Sequence, residues 1–155
     1  MKLTTSRFGE IEIDESKVIT FIEYLPGFQG CKRFVLIDHN PDSPFKWLQS
    51  VEDGKLAFVV IDPVMVVTDY EPEIAESDLT ELNLQKHDKV FLLCIVNISR
   101  DCSQVTVNLL GPLAINPEQK CGKQIIALNT TYSIRYDITS ACQKQQQDSA
   151  SNSHV

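Results

Sequence analysis

Short stretches of strand-forming residues recur along nearly the whole chain, and turn residues separate them. The clearest alternation is that of Ile11 and Ile13 with Glu10, Glu12 and Asp14. Strand signals occupy residues 10–14, 18–21, 33–38, 45–51, 55–62, 90–98, 104–116, 124–129 and 132–138. Short strands at this spacing, joined mostly by short turns, predict a mainly β fold, namely a small antiparallel β-barrel that carries a short helical arm.

One of these strand patterns, Gln104–Asn116, is interrupted. Val105, Val107 and Leu109 fall on one face by period two, and the pattern resumes after Gly111 and Pro112. Because Pro donates no backbone hydrogen bond, we expect this break at a sheet edge or at a bulge.

Asn108 projects an amide from the interrupted strand, which favours contact with a partner protein. The sequence leaves an alternative open, in which the Asn108 amide satisfies a neighbouring backbone group of its own chain.

Acidic residues concentrate between positions 69 and 88, where we predict the helical arm. They are Asp69, Glu71, Glu73, Glu76, Asp78, Glu81 and Asp88. A helix is predicted over Ser77–Leu82, with Asp78 as its N-cap and Glu81 three residues later. Pro72 is expected to open an earlier turn.

A chain of 155 residues with 43% hydrophobic residues is typical of one globular domain. We assign residues 1–138 to a single barrel domain and expect the Gln- and Ser-rich residues 139–155 to be disordered. The longest apolar runs, 57–61 and 90–96, are too short to span a bilayer, and no secretory signal is recognisable. We therefore expect a cytoplasmic protein that does not bind membranes.

The formal net charge of −7 argues against direct binding of nucleic acid, because such binding requires Lys and Arg to neutralise phosphates. An acidic surface would suit a protein that opposes a nucleic-acid binder, since it attracts basic proteins. Solubility alone would also explain the charge.

No catalytic or cofactor-binding constellation is recognisable in the sequence. The three histidines are isolated, the six glycines form no phosphate-binding loop, and the five cysteines form no C-x-x-C pair. Glu10 and Glu12 share a strand face but alternate with Ile residues, as on a solvated face. We therefore predict a protein that is not an enzyme and has no cofactor, disulfide framework or metal site.

A series of short motifs occurs in a fixed order along residues 1–138. They are Arg7-Phe8-Gly9, LPGF at 25–28, Pro44-Phe45, LQS at 48–50, AFVV at 57–60, Asp62-Pro63, TVNL at 106–109, Pro112, Ile115-Asn116, QII at 124–126 and the Tyr132/Arg135 strand. Taken together, they closely resemble the FliW family of flagellar assembly factors.

The resemblance implies a cytoplasmic, non-enzymatic small β-barrel that exchanges two protein partners. Members of this family bind newly made flagellin, or alternatively the RNA-binding translational repressor CsrA. When flagellin is exported, the freed factor binds CsrA and relieves repression of flagellin mRNA. A flagellin-holding chaperone without a role in RNA regulation is the alternative. A small-barrel enzyme that binds a flavin or a small ester is a third option, for which the sequence supplies no residues.

We predict two partner-binding regions on this barrel. One is the interrupted strand with nearby amides, and the other is the helical arm at residues 69–88, which we call the acidic arm. The predicted contact residues are Asn108, Leu110, Pro112, Asn116, Gln49, Glu71, Glu73 and Glu76.

Overall fold

The computed structural model describes residues 1–38, 40–86, 88–129 and 131–142, and these form a mainly β protein, as predicted. The strands are β1 (Lys2–Thr5), β2 (Gly9–Glu12), β3 (Ile19–Phe21), β4 (Arg33–Ile37), β5 (Phe45–Ser50), β6 (Ala57–Ile61), β7 (Phe91–Ile98), β8 (Val105–Val107), β9 (Leu113–Asn116), β10 (Cys121–Gln124) and β11 (Tyr136–Asp137). Helix α1 spans Glu76–Glu81, and short 3-10 helices span Glu15–Lys17 and Pro63–Met65.

Seven strands close into a barrel in the order β3, β4, β5, β6, β7, β9 and β10, with β10 paired back to β3. This confirms the predicted barrel. Its pairs are antiparallel except β3 with β10, where Cys121 lies opposite Thr20 in a parallel pair. The difference has a geometric cause, because a closed ring with an odd number of strands cannot alternate direction throughout.

The interrupted strand is a bulge at which the sheet divides. Strands β8 and β9 both pair with the same side of β7, with Val107 opposite Val96 and Leu113 opposite Leu93. Five residues separate Val107 from Leu113, whereas two separate Leu93 from Val96, so three extra residues are accommodated in the bulge. Beyond it, β8 pairs with β11 and β9 pairs with β10. The segment therefore lies inside the sheet and not at its edge.

Apolar side chains that alternate along the strands fill the barrel. The interior cluster consists of Ile19, Phe21, Leu25, Phe34, Leu48, Val60, Leu93, Leu113 and Ile115. Phe21 and Phe34 meet edge to face, with ring centroids 5.5 Å apart. Burial of each such side chain is worth roughly 1.5–3 kcal/mol, so this cluster fixes the strand register.

The barrel carries two further apolar clusters on its outer surface. One forms where β6, β7 and β8 are covered by Tyr70, whose hydroxyl donates a hydrogen bond to the carbonyl of Leu109 at 2.6 Å. The other packs Leu82 and Leu84, which follow α1, against Ala114 and Ile125. These contacts hold the helical arm against the barrel.

The helical arm differs from the prediction at its start. Helix α1 begins at Glu76 after Ala75, which makes no side-chain cap, so Asp78 lies inside the first turn and is not the N-cap. The Asp78 carboxylate instead accepts a hydrogen bond from Lys123 on β10. Pro72 lies in a connection without regular secondary structure and does not open a turn.

Strand bounds differ most near the ends of the chain. Strand β1 was not predicted, β10 ends at Gln124 where the predicted strand began, and the predicted strand 132–138 reduces to the two residues of β11. Residues 139–142 form a helical turn, and Cys142 packs against the Tyr70 cluster. The rest of the tail, residues 143–155, lies outside the described residues. No helix in the described part of the chain is long and apolar enough to cross a membrane.

Candidate functional site: an acidic arm beside a groove at the barrel mouth

Asn108 lies in the bulge and is half-buried. Its Oδ1 accepts a hydrogen bond from the backbone N–H of Gly111 at 2.8 Å, while Gln124 Nε2 donates to the Gly111 carbonyl at 3.0 Å. A Cβ on Gly111 would lie 3.1 Å from Asn108 Nδ2, so these two amides enclose the glycine. Asn108 therefore satisfies a backbone group of its own chain through Oδ1.

Three of the predicted contact residues, Gln49, Pro112 and Asn116, are buried. Asn116 Nδ2 donates to the carbonyl of Leu82 at 2.9 Å, and its Oδ1 accepts from the backbone N–H groups that follow it. Leu110 is half-buried in the bulge. Since these three side chains are buried in the folded protein, we leave them out of the contact surfaces proposed below.

The side-chain amide of Gln49 bonds to backbone carbonyls of the β5–β6 hairpin, of which Gln49 is itself a part. Its Nε2 donates to the carbonyls of Ser50 at 3.1 Å and Leu56 at 3.0 Å, and lies 3.3–3.4 Å from two carbonyls of the turn between them. Its buried Oε1 has no hydrogen-bond partner among the described residues. The amide therefore has a structural explanation in the shape of this hairpin.

The acidic arm presents Glu71, Glu73 and Glu76 to solvent. Its backbone is held in place by Asn129, whose Oδ1 accepts from Glu73 N at 2.8 Å and whose Nδ2 donates to the Glu71 carbonyl at 2.9 Å. The backbone N–H of Glu71 also donates to the Tyr132 hydroxyl at 2.7 Å. These hydrogen bonds therefore fix the backbone from which the Glu71 and Glu73 side chains extend.

The far end of the arm is anchored by Lys123. Its ammonium lies 2.7 Å from Asp78 Oδ1, 2.5 Å from Glu81 Oε2 and 3.9 Å from Glu23 Oε1. The hydrogen bonds to Asp78 and Glu81 raise the pKa of Lys123 above its usual range, which keeps it charged. Within the part of the chain that the structure describes, Glu71, Glu73 and Glu76 form no ion pair.

A groove of about 960 Å³ opens at one end of the barrel, which we call the mouth groove. The strand directions bring the end of β3, the start of β6, the end of β7 and the bulge to this end. Apolar side chains form much of its lining, among them Phe28, Phe58 and Ile126. The Asn108 amide also lines it, so one predicted contact residue belongs to this surface.

The turn Leu25-Pro26-Gly27-Phe28 places Phe28 in the mouth groove. Gly27 has φ +85°, and Phe28 N donates to the Leu25 carbonyl at 2.9 Å, as a type II turn requires. The Phe28 ring meets Phe58 edge to face, with centroids 4.8 Å apart. The LPGF motif thus builds one wall of the groove.

Two arginines, Arg7 and Arg100, lie on the rim of the mouth groove. The Arg7 guanidinium lies 4.4 Å from the centroid of the Trp47 ring, a cation–π contact that holds it beside the groove. Neither Arg7 nor Phe28 could be assigned to a site from the sequence alone, although both belong to motifs that carried the family resemblance. No group of three or more His, Cys, Asp or Glu among the described residues is arranged to hold a metal ion.

Comparison with known proteins agrees with this architecture. The family model described as FliW protein matches residues 2–138. The chain is 40% identical over 139 residues to the flagellar assembly factor FliW of Natranaerobius thermophilus, across 89% of this chain and 92% of that protein. It is also 40% identical over 136 residues to the factor of Geobacter sulfurreducens, across 88% and 85%. A crystal structure of the flagellar assembly factor FliW matches with a TM-score of 0.79 and 34% identity, over 88% of this chain and 96% of that one. The chain therefore belongs to the FliW family of flagellar assembly factors.

Proposed function

We propose that this protein binds flagellin in the cytoplasm and, when free of flagellin, binds CsrA and relieves its repression of flagellin mRNA. It acts by binding and not by catalysis. Membership of the FliW family supports this proposal, as does the acidic surface of the molecule. Because the same molecule serves both partners, the amount of free flagellin sets how much of the factor is left for CsrA.

The acidic arm is the observation that carries the CsrA half of this proposal. Glu71, Glu73 and Glu76 are exposed and form no ion pair within the described residues, in contrast to Asp78 and Glu81, which Lys123 binds. A protein that binds RNA must present basic residues to phosphates. Three free carboxylates on one anchored segment offer a complementary charge to such a surface and repel RNA from it.

The test is a charge reversal of the three free carboxylates, Glu71→Lys, Glu73→Lys and Glu76→Lys combined. We expect inhibition of RNA binding by CsrA to weaken by about tenfold or more, with a larger effect at low salt because screening is weaker there. The measurement is a competition titration of a CsrA–RNA complex at several salt concentrations.

A matched control separates the local effect from net charge. Asp42→Lys, Glu15→Lys and Glu118→Lys combined change three other exposed acidic residues by the same total charge, and we expect inhibition close to that of the wild type. Inhibition by the arm variant that equals the control at every salt concentration would refute the role of the arm. A wild-type protein that binds flagellin but not CsrA would support the chaperone alternative instead.

A further inference from the structure

The mouth groove has the features of a peptide-binding surface and lies outside the acidic arm. Three of its apolar side chains are well exposed, namely Phe28 at 37%, Ile98 at 47% and Ile126 at 64%. Large exposed apolar side chains around a concavity mark sites where another molecule docks. The Asn108 and Gln124 amides at the bulge add polar groups suited to the backbone of a bound segment.

The charge of the mouth groove is opposite to that of the whole molecule. Arg7 and Arg100 lie on its rim, and Arg135 lines an adjoining recess that shares Asn97, Ile98 and Ser99 with it. These are three of the four arginines in a chain of net charge −7. None of the described residues that line the groove is an Asp or a Glu.

The guanidinium charges of the two rim arginines are available to a ligand. Arg7 contacts the Trp47 ring, and neither Arg7 nor Arg100 forms an ion pair with a described residue. The carboxylate nearest to Arg100 in sequence is that of Asp101, and it is already hydrogen-bonded within its own turn. It accepts hydrogen bonds from the Ser99 hydroxyl at 2.9 Å and the Ser103 hydroxyl at 2.7 Å. A guanidinium at the rim of an apolar groove selects a carboxylate partner.

We propose that the mouth groove binds an apolar segment of a partner protein that carries carboxylates beside its apolar side chains. The apolar side chains of the segment contact Phe28 and Ile126, and its carboxylates pair with Arg7 and Arg100. This proposal rests on the proposed function in assigning the segment to one of two partners. Arginines on the rim repel the basic, RNA-binding surface of CsrA, so the segment belongs to flagellin.

The test reverses both rim charges in the full-length protein, as Arg7→Glu combined with Arg100→Glu. We expect its affinity for purified flagellin to fall by about tenfold or more, and its affinity for CsrA to stay within about twofold of the wild type. Isothermal titration with each partner gives both numbers. The control, Lys17→Glu combined with Lys89→Glu, makes the same charge change at exposed sites away from the groove and should bind both partners as the wild type does.

Ile126→Asp provides a second variant, because loss of the Arg7–Trp47 contact could disturb folding on its own. Ile126 is well exposed, so the fold should persist, and we again expect weaker flagellin binding. Trp47, the single Trp of the chain, adds a direct readout. Its emission should change on addition of flagellin, with Trp47→Phe as the blank for signal from the partner.

The outcomes separate the two proposals. Flagellin affinity that is unchanged in both groove variants overturns the groove assignment while leaving the proposed function intact. Loss of CsrA affinity in place of flagellin affinity also overturns it. A wild-type protein that binds neither partner refutes the proposed function itself, and with it the assignment of the mouth groove to a segment of flagellin.

Discussion

Gly54 connects the β5–β6 hairpin to the N-terminal hairpin formed by β1 and β2. A Cβ at this position would lie 2.0 Å from the carbonyl oxygen of Thr4, a contact that no side chain can make without moving the backbone. The Gly54 carbonyl also accepts a hydrogen bond from Ser6 N at 3.0 Å. The sequence marks residues 52–54 as a turn, but the pattern gives no sign that a distant strand packs against the glycine.

We predict that Gly54→Ala displaces the N-terminal hairpin. Overpacking against backbone should lower the free energy of unfolding by about 1–3 kcal/mol. The emission of Trp47 should also change, because Arg7 and Phe8 of that hairpin contact its ring. Urea denaturation followed by Trp fluorescence measures both effects.

The neighbouring substitution Lys55→Ala is the control for Gly54→Ala. Lys55 is exposed, and its truncation should change stability by no more than about 0.5 kcal/mol. Equal stability of the two variants, with unchanged Trp47 emission in both, would show that the hairpin does not depend on close approach at Gly54.

Among the elements, the prediction succeeded where local chemistry decides and failed where pairing decides. Gly111 and Pro112 predict an interruption from their backbone properties alone, and the structure has a bulge there. The parallel pair of β3 and β10 could not be predicted, because periodicity reports which face is buried and not which strand is the neighbour. Asp78 fits an N-cap pattern, but Lys123 binds its carboxylate, so the tertiary contact replaces the local one.

Lys123 links helix α1 to the barrel, and its loss should release the arm. We predict that Lys123→Met lowers the local opening free energy of residues 79–84 by about 1–3 kcal/mol, because Asp78 and Glu81 then lack their cation. Hydrogen exchange of the backbone amides in this segment measures the effect. The raised pKa of Lys123 stabilises the fold fully below the usual lysine pKa, so this contribution is constant across neutral pH and is lost only as strongly alkaline pH deprotonates Lys123.

Lys120→Met is the matched control for the arm. Lys120 lies in the turn just before β10, but its ammonium bonds to the Pro117 carbonyl and not to the arm, so exchange of residues 79–84 should not change. Faster exchange in both variants alike would mean that Lys123 stabilises the barrel in general and not the arm in particular.

At the scale of the molecule, the two proposed contact surfaces carry opposite charge and lie side by side. The acidic arm could be predicted from the sequence because its residues are consecutive. The mouth groove could not, since Arg7, Phe28, Arg100 and Ile126 come from four distant segments that the barrel topology brings together. Trp47 illustrates the difference. Its size is typical of a core residue, yet the structure places it half-buried in the groove lining.

The adjacency of the two proposed surfaces predicts how the two proposed partners would exchange. Ile126 lines the groove, and two residues later Leu128 N donates to the Glu73 carbonyl of the arm at 2.8 Å. Two proteins that each bury a standard interface of about 800 Å² per partner cannot occupy neighbouring surfaces this close without overlap. Flagellin in the groove should therefore exclude CsrA from the arm, even though each contacts different residues.

We expect that titration of CsrA into a preformed complex with excess flagellin gives no binding heat beyond the displacement of flagellin. Size-exclusion chromatography with light scattering should show two binary complexes and no species that contains all three proteins. For the groove variant Arg7→Glu with Arg100→Glu, about tenfold more flagellin should be needed to exclude CsrA, because its affinity for flagellin is lower by that factor. A stable ternary complex of the wild-type protein would contradict steric exclusion and would require that the partners approach the arm and the groove from opposite sides.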